Sequence, residues 1–307
     1  MTFTIIIPFY KTQEYVKETL DSIKNQKKYD LKDVQVLFIN DGDENFDLSI
    51  LAAYKDSIPN IDYYKKHNTN WGGVINYVIK NGLIKGTYVT ILDSDDTWSS
   101  QCLFSISQGL TSQADMIVGD TIFKNINTHS SKKYHTYFLS SGLHAISDKN
   151  RFLFCTLLHL PLCKFYKTSL FNKTVLLKEG VSYKDVEVYH DNLLRAKNVY
   201  YVKKVLGTYR ENRPGNSIMM EWSKEKVDMI IDEIKYLDGI GLSSKAIFLL
   251  SYHKNNFIVN YKKYYQEPMI LHSKLSLVFF PKSLKFVYKI ALNKRIKQYK
   301  DIVRASN

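Results

Sequence analysis

One stretch constrains this chain more than any other: Tyr88-Val89-Thr90-Ile91-Leu92-Asp93-Ser94-Asp95-Asp96. Its first five residues are β-branched, aromatic or apolar, and they read as a buried strand entered after a helix-like segment closed by Gly86. The strand then runs straight into the carboxylates of Asp93, Asp95 and Asp96. Carboxylates packed this closely repel one another, so the pattern is best tolerated beside a cation. Hard oxygen donors of this kind suit Mg2+ or Mn2+, which often bring a phosphate-bearing substrate with them. In an open α/β sheet, ligands bind at the carboxyl ends of the strands, where this cluster falls. The plainer alternative is a solvated acidic turn capping a helix that starts near Thr97 or Ser99.

The flanking segments supply the rest of the sheet. Phe3 to Ile7 is a short apolar run and reads as a buried parallel strand ended by Pro8. Thr12 is placed to cap a helix from about Gln13 to Gln26, with Tyr15, Val16, Thr19, Leu20 and Ile23 on one face. Val34 to Ile39 predicts a second strand, ending in Asn40-Asp41-Gly42-Asp43. A helix is expected over Phe46 to Lys55 and a strand over Ile61 to Lys65. Asn70-Trp71-Gly72-Gly73 then opens a helix from Val74 to about Ile84. Strands alternating with helices in this order predict an α/β fold with a mostly parallel sheet and right-handed crossovers. No Gly-x-Gly-x-x-Gly follows the first strand and no Gly-x-x-x-x-Gly-Lys-Ser/Thr occurs, which excludes a dinucleotide fold and a P-loop NTPase. Pro8-Phe9-Tyr10 cannot serve as the Gly-rich phosphate loop of a sugar nucleotidylyltransferase.

At 307 residues and 45% hydrophobic, the chain is long enough for one large core with a helical appendage. No apolar run approaches the roughly 18 residues that span a bilayer. The first residues have neither a basic flank nor a long apolar core, so no secretion signal is expected. Cys102, Cys155 and Cys163 show no metal-ligand spacing and read as reduced packing residues of a cytoplasmic protein. The net charge of +13 is concentrated towards the end of the chain. Lys282 to Arg304 interleaves Leu284, Phe286, Val287, Ile290 and Ile296 with lysines and arginines, and Asp301 is its one acid. Such a basic amphipathic helix suits an anionic membrane surface, which would make the protein peripheral on the inner face of the membrane. It could equally pack on the body or on a partner subunit, in a homo- or hetero-oligomer. Nucleic acid is a poor partner: the cations form no recognisable binding module, and the acidic cluster would repel phosphate.

Taken together, Thr4-Ile5-Ile6-Ile7-Pro8-Phe9-Tyr10, Ile39-Asn40-Asp41-Gly42 and Gly86-Thr87-Tyr88 through Asp96 resemble the family 2 glycosyltransferases of the GT-A fold. Ala114 to Asp120, Leu160 to Phe171, Tyr183-Lys184-Asp185-Val186 and Leu206 to Arg210 extend the similarity to about Ser217. The resemblance implies a GT-A-like nucleotide-sugar-binding and catalytic domain over residues 1–217 and a helical basic region over 218–307. It implies inverting transfer from a nucleotide donor, with a UDP-sugar favoured, to a glycan, lipid-linked or protein acceptor, with Mn2+ or Mg2+ as cofactor. Asp95 would be the direct metal ligand. Asp93 would sit nearer the ribose and the metal-bound water, and Asp96 would be an outer support or a helix cap. Asp41 would accept a hydrogen bond from the base N3–H, which favours uracil. Pro8 and Tyr10 would line the base pocket, and Lys66 to Asn70 would lie close to the nucleotide. Asp185 would be the general base, with Asp191 as its rival. Arg210, Arg213 and the Pro214–Ser217 turn would close over the diphosphate.

One departure is Lys184, where the family often carries Glu. A cation there would weaken Asp185 as a base unless it points away, as neighbours in an extended segment do. His190 reads as a surface helix histidine, and His253 and His272 receive no role. The alternative reading of another class is a non-catalytic partner or scaffold for an active transferase.

Overall fold

The computed structural model describes residues 1–134, 139–147, 154, 161–215, 221–240, 260 and 263–265. The basic segment 282–304, Cys155, Ser217, His253 and His272 lie outside the described residues. The chain divides into two compact units, Met1–Ser147 with Leu157–Asn216, and Asp148–Thr156 with Ser217–Asn307.

The first unit is built as β1 (Phe3–Phe9), α1 (Gln13–Lys24), β2 (Val34–Asp41), α2 (Ser49–Ala52), β3 (Ile61–Lys66), α3 (Asn70–Lys80), β4 (Tyr88–Ile91), β5 (Thr97–Trp98), α4 (Cys102–Ser107), β6 (Met116–Asn125), β7 (Ser131–Tyr134), β8 (Gly142–Ala145), β9 (Lys164–Lys167), α5 (Thr168–Phe171), α6 (Lys184–Arg195) and β10 (Asn198–Glu211). One sheet runs in the order β3-β2-β1-β4-β9-β6-β10-β5, with β7 beside β6 and β8 beside β10. The block β3-β2-β1-β4 is parallel, as the strand–helix alternation predicts. Beyond it the sheet is mixed, because β9 runs antiparallel between β4 and β6. All eight residues of β2 are buried, so both faces of the sheet are covered there. In the second unit, α7 (Lys224–Gly239) buries Val227, Ile230, Ile231, Ile234 and Leu237, a stripe at helical spacing.

Several boundaries differ from expectation for identifiable reasons. Pro8 does not end the first strand: β1 continues to Phe9, with Pro8 opposite Ile39. The Ile6 carbonyl accepts from Leu92 N–H, so Ile6 faces β4. Pro8, two residues on, faces the same side, where β4 pairing has already stopped at Ile91. Its missing N–H therefore costs no ladder bond. The helix expected over Phe46 to Lys55 shrinks to α2. Phe46 is instead an anchor, stacked on Phe38 at 4.9 Å and tilted against Phe9 at 4.5 Å. The Asp47 carboxylate accepts from the Ser49 N–H at 2.9 Å and so starts the helical turn late.

The helix α3 begins four residues earlier than expected and ends at Lys80. Gly72 and Gly73 lie inside it rather than in a turn before it, and Gly86 is no helix terminator. A Cβ on Gly86 would stand 2.6 Å from the backbone C of Phe3 and N of Thr4, so only glycine lets this segment pass β1. The same crossing is tied by buried hydrogen bonds. Gly86 N–H donates to Thr4 Oγ1 at 2.9 Å, and Thr4 Oγ1 donates to Gln35 Oε1 at 2.8 Å.

Replacing Gly86 by Ala forces β1 and the chain entering β4 apart. We expect a loss of about 2 kcal/mol, the usual scale for overpacking, read as a lowered urea midpoint. A second expectation concerns Lys164, whose side chain is buried and whose ammonium donates to the Leu162 carbonyl at 3.1 Å. Burial pushes its pKa down to about 8. Between about pH 8 and 10.5 the unfolded chain holds this proton and the folded one does not. Stability contributed by this site therefore rises with pH across that window, by about 3 kcal/mol. Thermal melts of wild type and Lys164→Met at pH 7.5 and 10 should show this rise in the wild type and a flatter response in the variant.

Candidate active site

The turn after β4 is held from several directions. Asp96 N–H donates to the Asp93 carbonyl at 2.9 Å and closes the turn. Helix α1 supports it from below: Thr19 Oγ1 donates to the Asp96 carbonyl at 2.8 Å, and Thr12 Oγ1 shares a 2.7 Å hydrogen bond with Ser94 Oγ. Thr12 is therefore not a side-chain cap of α1, as its position suggests; its hydroxyl is spent on the acidic turn. From the other side, Arg210 N–H in β10 donates to Asp96 Oδ1 at 2.9 Å. Burial, and then the nearby Asp95 and Asp93, push the Asp96 pKa well up, so this carboxyl belongs to the support of the turn. No helix starts at Thr97 or Ser99; β5 intervenes before α4.

Asp95 is buried, and its carboxylate is ion-paired with the Arg213 guanidinium. Arg210 is engaged behind it: Nε donates to the Asp95 carbonyl at 2.9 Å, Nη2 donates to Glu18 at 2.7 Å, and the guanidinium lies 4.6 Å over the Tyr15 ring. Of the two arginines, Arg213 faces the carboxylate and Arg210 braces the backbone. Asp93 is half-buried and accepts a hydrogen bond from Trp71 Nε1 at 2.8 Å. Burial and the charge of Asp95, with a smaller push from Asp185, raise its pKa to about 7.

The push on Asp93 also locates Asp185, whose charge is felt there and at Tyr166, across β9. Asp185 lies in the first turn of α6, not in an extended segment, and follows Tyr183 in a left-handed conformation at φ 68°. A helix amino terminus favours the carboxylate. Lys184 is turned by the helix rather than by strand alternation: it is buried and ion-paired with Glu187, one turn along. Asp191 is bidentate with Arg195, at 2.5 and 2.7 Å, and accepts from Val175 N–H. His190 is fully buried rather than on the surface, because it faces inward from α6 with its Nδ1 2.8 Å from the Val186 carbonyl.

At the ends of β1 and β2 the expected nucleotide side takes shape. Asp41 is buried, and its Oδ1 accepts from Lys66 Nζ at 2.5 Å and from Thr69 N–H at 3.1 Å. Tyr10 is 42% exposed, with Lys11 Nζ 5.0 Å from its ring centroid, and Pro8 is half-buried beside it. Sequence reasoning passes over Asp43. Its carboxylate accepts from Lys11 N–H, Gln13 Nε2 and Asn45 N–H at 3.2, 2.7 and 3.0 Å. It thereby fixes the loop that presents Tyr10, and the polar run Asn40-Asp41-Gly42-Asp43 was the available signal. Trp71 was likewise visible only as a helix opener.

Among the described residues, no group of three or more His, Cys, Asp or Glu is set to enclose a metal ion. The donor set nevertheless fits Mg2+ or Mn2+ chemically. Such ions take one or two carboxylates and complete their shell with water and substrate phosphate. Asp93 and Asp95 would be those carboxylates; in this structure the cation beside Asp95 is Arg213.

Likeness to known proteins bears on the family and the fold. The family model "Glycosyl transferase family 2" matches residues 4–175. An uncharacterised glycosyltransferase of Mycoplasma genitalium is 33% identical over 93% of both chains, and a minor teichoic acid biosynthesis protein of Bacillus subtilis is 23% identical over 93% of this chain and 66% of its own. Among solved structures, S. aureus TarS 1-349 in complex with UDP-GlcNAc superposes with a TM-score of 0.70 at 18% identity, covering 99% of this chain and 91% of that one. A mannosyltransferase from Pyrobaculum calidifontis in complex with GDP-Man and Mn2+ superposes with a TM-score of 0.55 at 10% identity, covering 99% of this chain and 85% of that one. The acidic strand end thus sits in a GT-A-like fold, and the chain belongs to glycosyl transferase family 2.

Proposed function

We propose that this glycosyltransferase is an inverting, metal-dependent enzyme. It moves a hexose from a UDP-sugar to a glycan, lipid-linked or protein acceptor. The observation that carries this reading is the placement of Asp185 at the start of α6, close enough for its charge to act on Asp93 at the end of β4. That proximity supports a diphosphate-handling pair and a base acting in one site. A bound Mg2+ or Mn2+, held by Asp95 and Asp93, would neutralise charge on the leaving diphosphate.

The chain's own groups do the rest. Asp41, braced by Lys66 and Thr69, offers its second oxygen to a base N3–H. Tyr10 and Pro8 line the base side of the pocket. Arg213 sits where a diphosphate would arrive and can exchange Asp95 for phosphate oxygens; Arg210 holds the turn in place while it does so. Asp185 takes the proton of the acceptor hydroxyl as that oxygen attacks the anomeric carbon from the face opposite the diphosphate. One displacement inverts the centre, so an α-linked donor gives a β-linked product.

A UDP donor is supported by Asp41 and by the fold shared with a UDP-GlcNAc complex. A surface-polymer acceptor is supported by the teichoic acid relative. In this reading residues 1–217 form the catalytic domain, and 218–307 carries the acceptor-side or membrane-facing basic region. Among the described residues, no helix is long and apolar enough to cross a membrane. A protein of this kind would work in the cytoplasm, at the inner membrane face.

The test is nucleotide-sugar binding and slow donor hydrolysis by the purified protein, with UDP-, GDP- and CDP-sugars and with Mn2+, Mg2+ or EDTA. Metal-dependent release of UDP is expected. Asp185→Asn should lower transfer by about 100-fold or more, the scale of general-base catalysis, while UDP affinity stays within about threefold. Asp95→Asn should instead weaken Mn2+-dependent UDP binding by about tenfold, the size of losing one charged ligand interaction. If the wild-type protein binds no nucleotide under any metal condition, the catalytic reading fails and a scaffold role replaces it.

A further inference from the structure

The first turn of α3 lies where separate parts of the site meet. Just before it, Thr69 donates its backbone N–H to Asp41 at 3.1 Å. Just after Trp71, Gly72 is packed so closely that a Cβ there would stand 3.2 Å from both Leu177 Cβ and Lys184 Cγ. Helix α3 therefore docks directly on the turn of α6 that carries Asp185. Between these anchors, Trp71 donates its indole N–H to Asp93 Oδ1 at 2.8 Å. Trp71 is only half-buried, unlike Trp98, which is 5% exposed and packs on Phe165 at 5.6 Å.

The role of that indole follows from the reaction proposed above, on which this inference rests. During transfer the sugar ring lies between the group that holds the diphosphate and the group that takes the acceptor proton. Those groups are Asp95 and Asp185. Trp71 is bonded to Asp93, two residues from Asp95, and its neighbour Gly72 packs against Lys184, the residue before Asp185. The indole therefore stands beside the interval that the sugar must occupy. Aromatic rings are the usual apolar walls of small-ligand sites, and the C–H face of a pyranose offers them a flat apolar surface.

We propose that Trp71 is the platform of the donor-sugar subsite: its N–H fixes one oxygen of Asp93, and its ring stacks on the sugar being transferred. Its contribution then depends on the sugar and not on the nucleotide. The platform separates UDP-sugar from UDP, whereas Asp41 and Tyr10 treat the two alike. The two halves of the indole's role are also separable, because phenylalanine keeps a ring and loses the donor.

The experiment compares wild type, Trp71→Phe and Trp71→Leu. Calorimetry in Mn2+ measures Kd for UDP and for the UDP-sugar that binds wild type most tightly among UDP-glucose, UDP-galactose and UDP-N-acetylglucosamine. Circular dichroism and thermal melts accompany each protein. The expected result is UDP affinity within about twofold in all of them. The preference for UDP-sugar over UDP should fall at least fivefold in Trp71→Leu and stay within about twofold in Trp71→Phe. Trp71→Phe should also need severalfold more Mn2+ for half-maximal UDP binding, because Asp93 has lost its partner. An unchanged preference in folded Trp71→Leu overturns the platform. So does an equal loss of UDP and UDP-sugar binding, which marks a purely structural indole. Should Trp71→Leu fail to fold, an unaltered Mn2+ requirement together with a lost sugar preference in Trp71→Phe overturns it as well. A wild type that binds none of these nucleotides sinks the functional reading instead, and the inference falls with it.

Discussion

Everything near the acidic turn is arranged around one unfavourable interaction, the repulsion between Asp93 and Asp95 at the end of a buried strand. Like charges held close together repel far more strongly at the effective dielectric of a protein than in water. Burial adds to the cost. The chain offsets it with fixed partners rather than with solvent. Arg213 faces Asp95, Trp71 donates to Asp93, and the Arg210 backbone holds Asp96. These partners come from a helix after β3 and from the end of β10, elements far apart in sequence. A turn that would otherwise open is thus kept closed by the tertiary fold. Burial first, and then the charge of Asp95, leave the Asp93 pKa raised to about 7. A cation placed beside the two carboxylates would relieve the repulsion between them.

How far this could be read in advance depends on the range of the signal. The parallel block was legible because its central strands carry apolar runs: Ile5, Ile6 and Ile7, or Val36, Leu37 and Phe38, are buried on both faces and need no partner to declare themselves. The acidic turn stood out because carboxylates at strand ends are chemically expensive and have few uses. What stayed hidden were choices made by packing. Phe46 belongs to an aromatic cluster with Phe9 and Phe38, and nothing local says that it will leave a helix to join them. Gly86 and Gly72 look like turn residues and turn out to be points of close approach. Thr12 has the residue type of a helix cap, yet its hydroxyl is claimed by Ser94, which lies 82 positions away. The indole of Trp71 and the carboxylate of Asp43 act through partners that single-sequence periodicity cannot connect.

Lys184 illustrates how a local departure is absorbed by geometry. In sequence it places a cation next to the candidate base, which should depress its basicity. In the fold both residues occupy the first turn of α6, where successive side chains diverge by about 100° around the helix axis. Lys184 is drawn into the contact with Gly72 of α3 and pairs with Glu187, so much of its field is cancelled before it reaches Asp185. The aliphatic stem of the lysine meanwhile supplies packing that a shorter acid could not. The same residue that looks like a loss of catalytic character therefore serves as the joint between the helix that bonds Asp93 and the helix that carries Asp185. Because that joint has no room for a side chain at Gly72, any larger residue there would push the two helices apart, and with them Asp93 and Asp185.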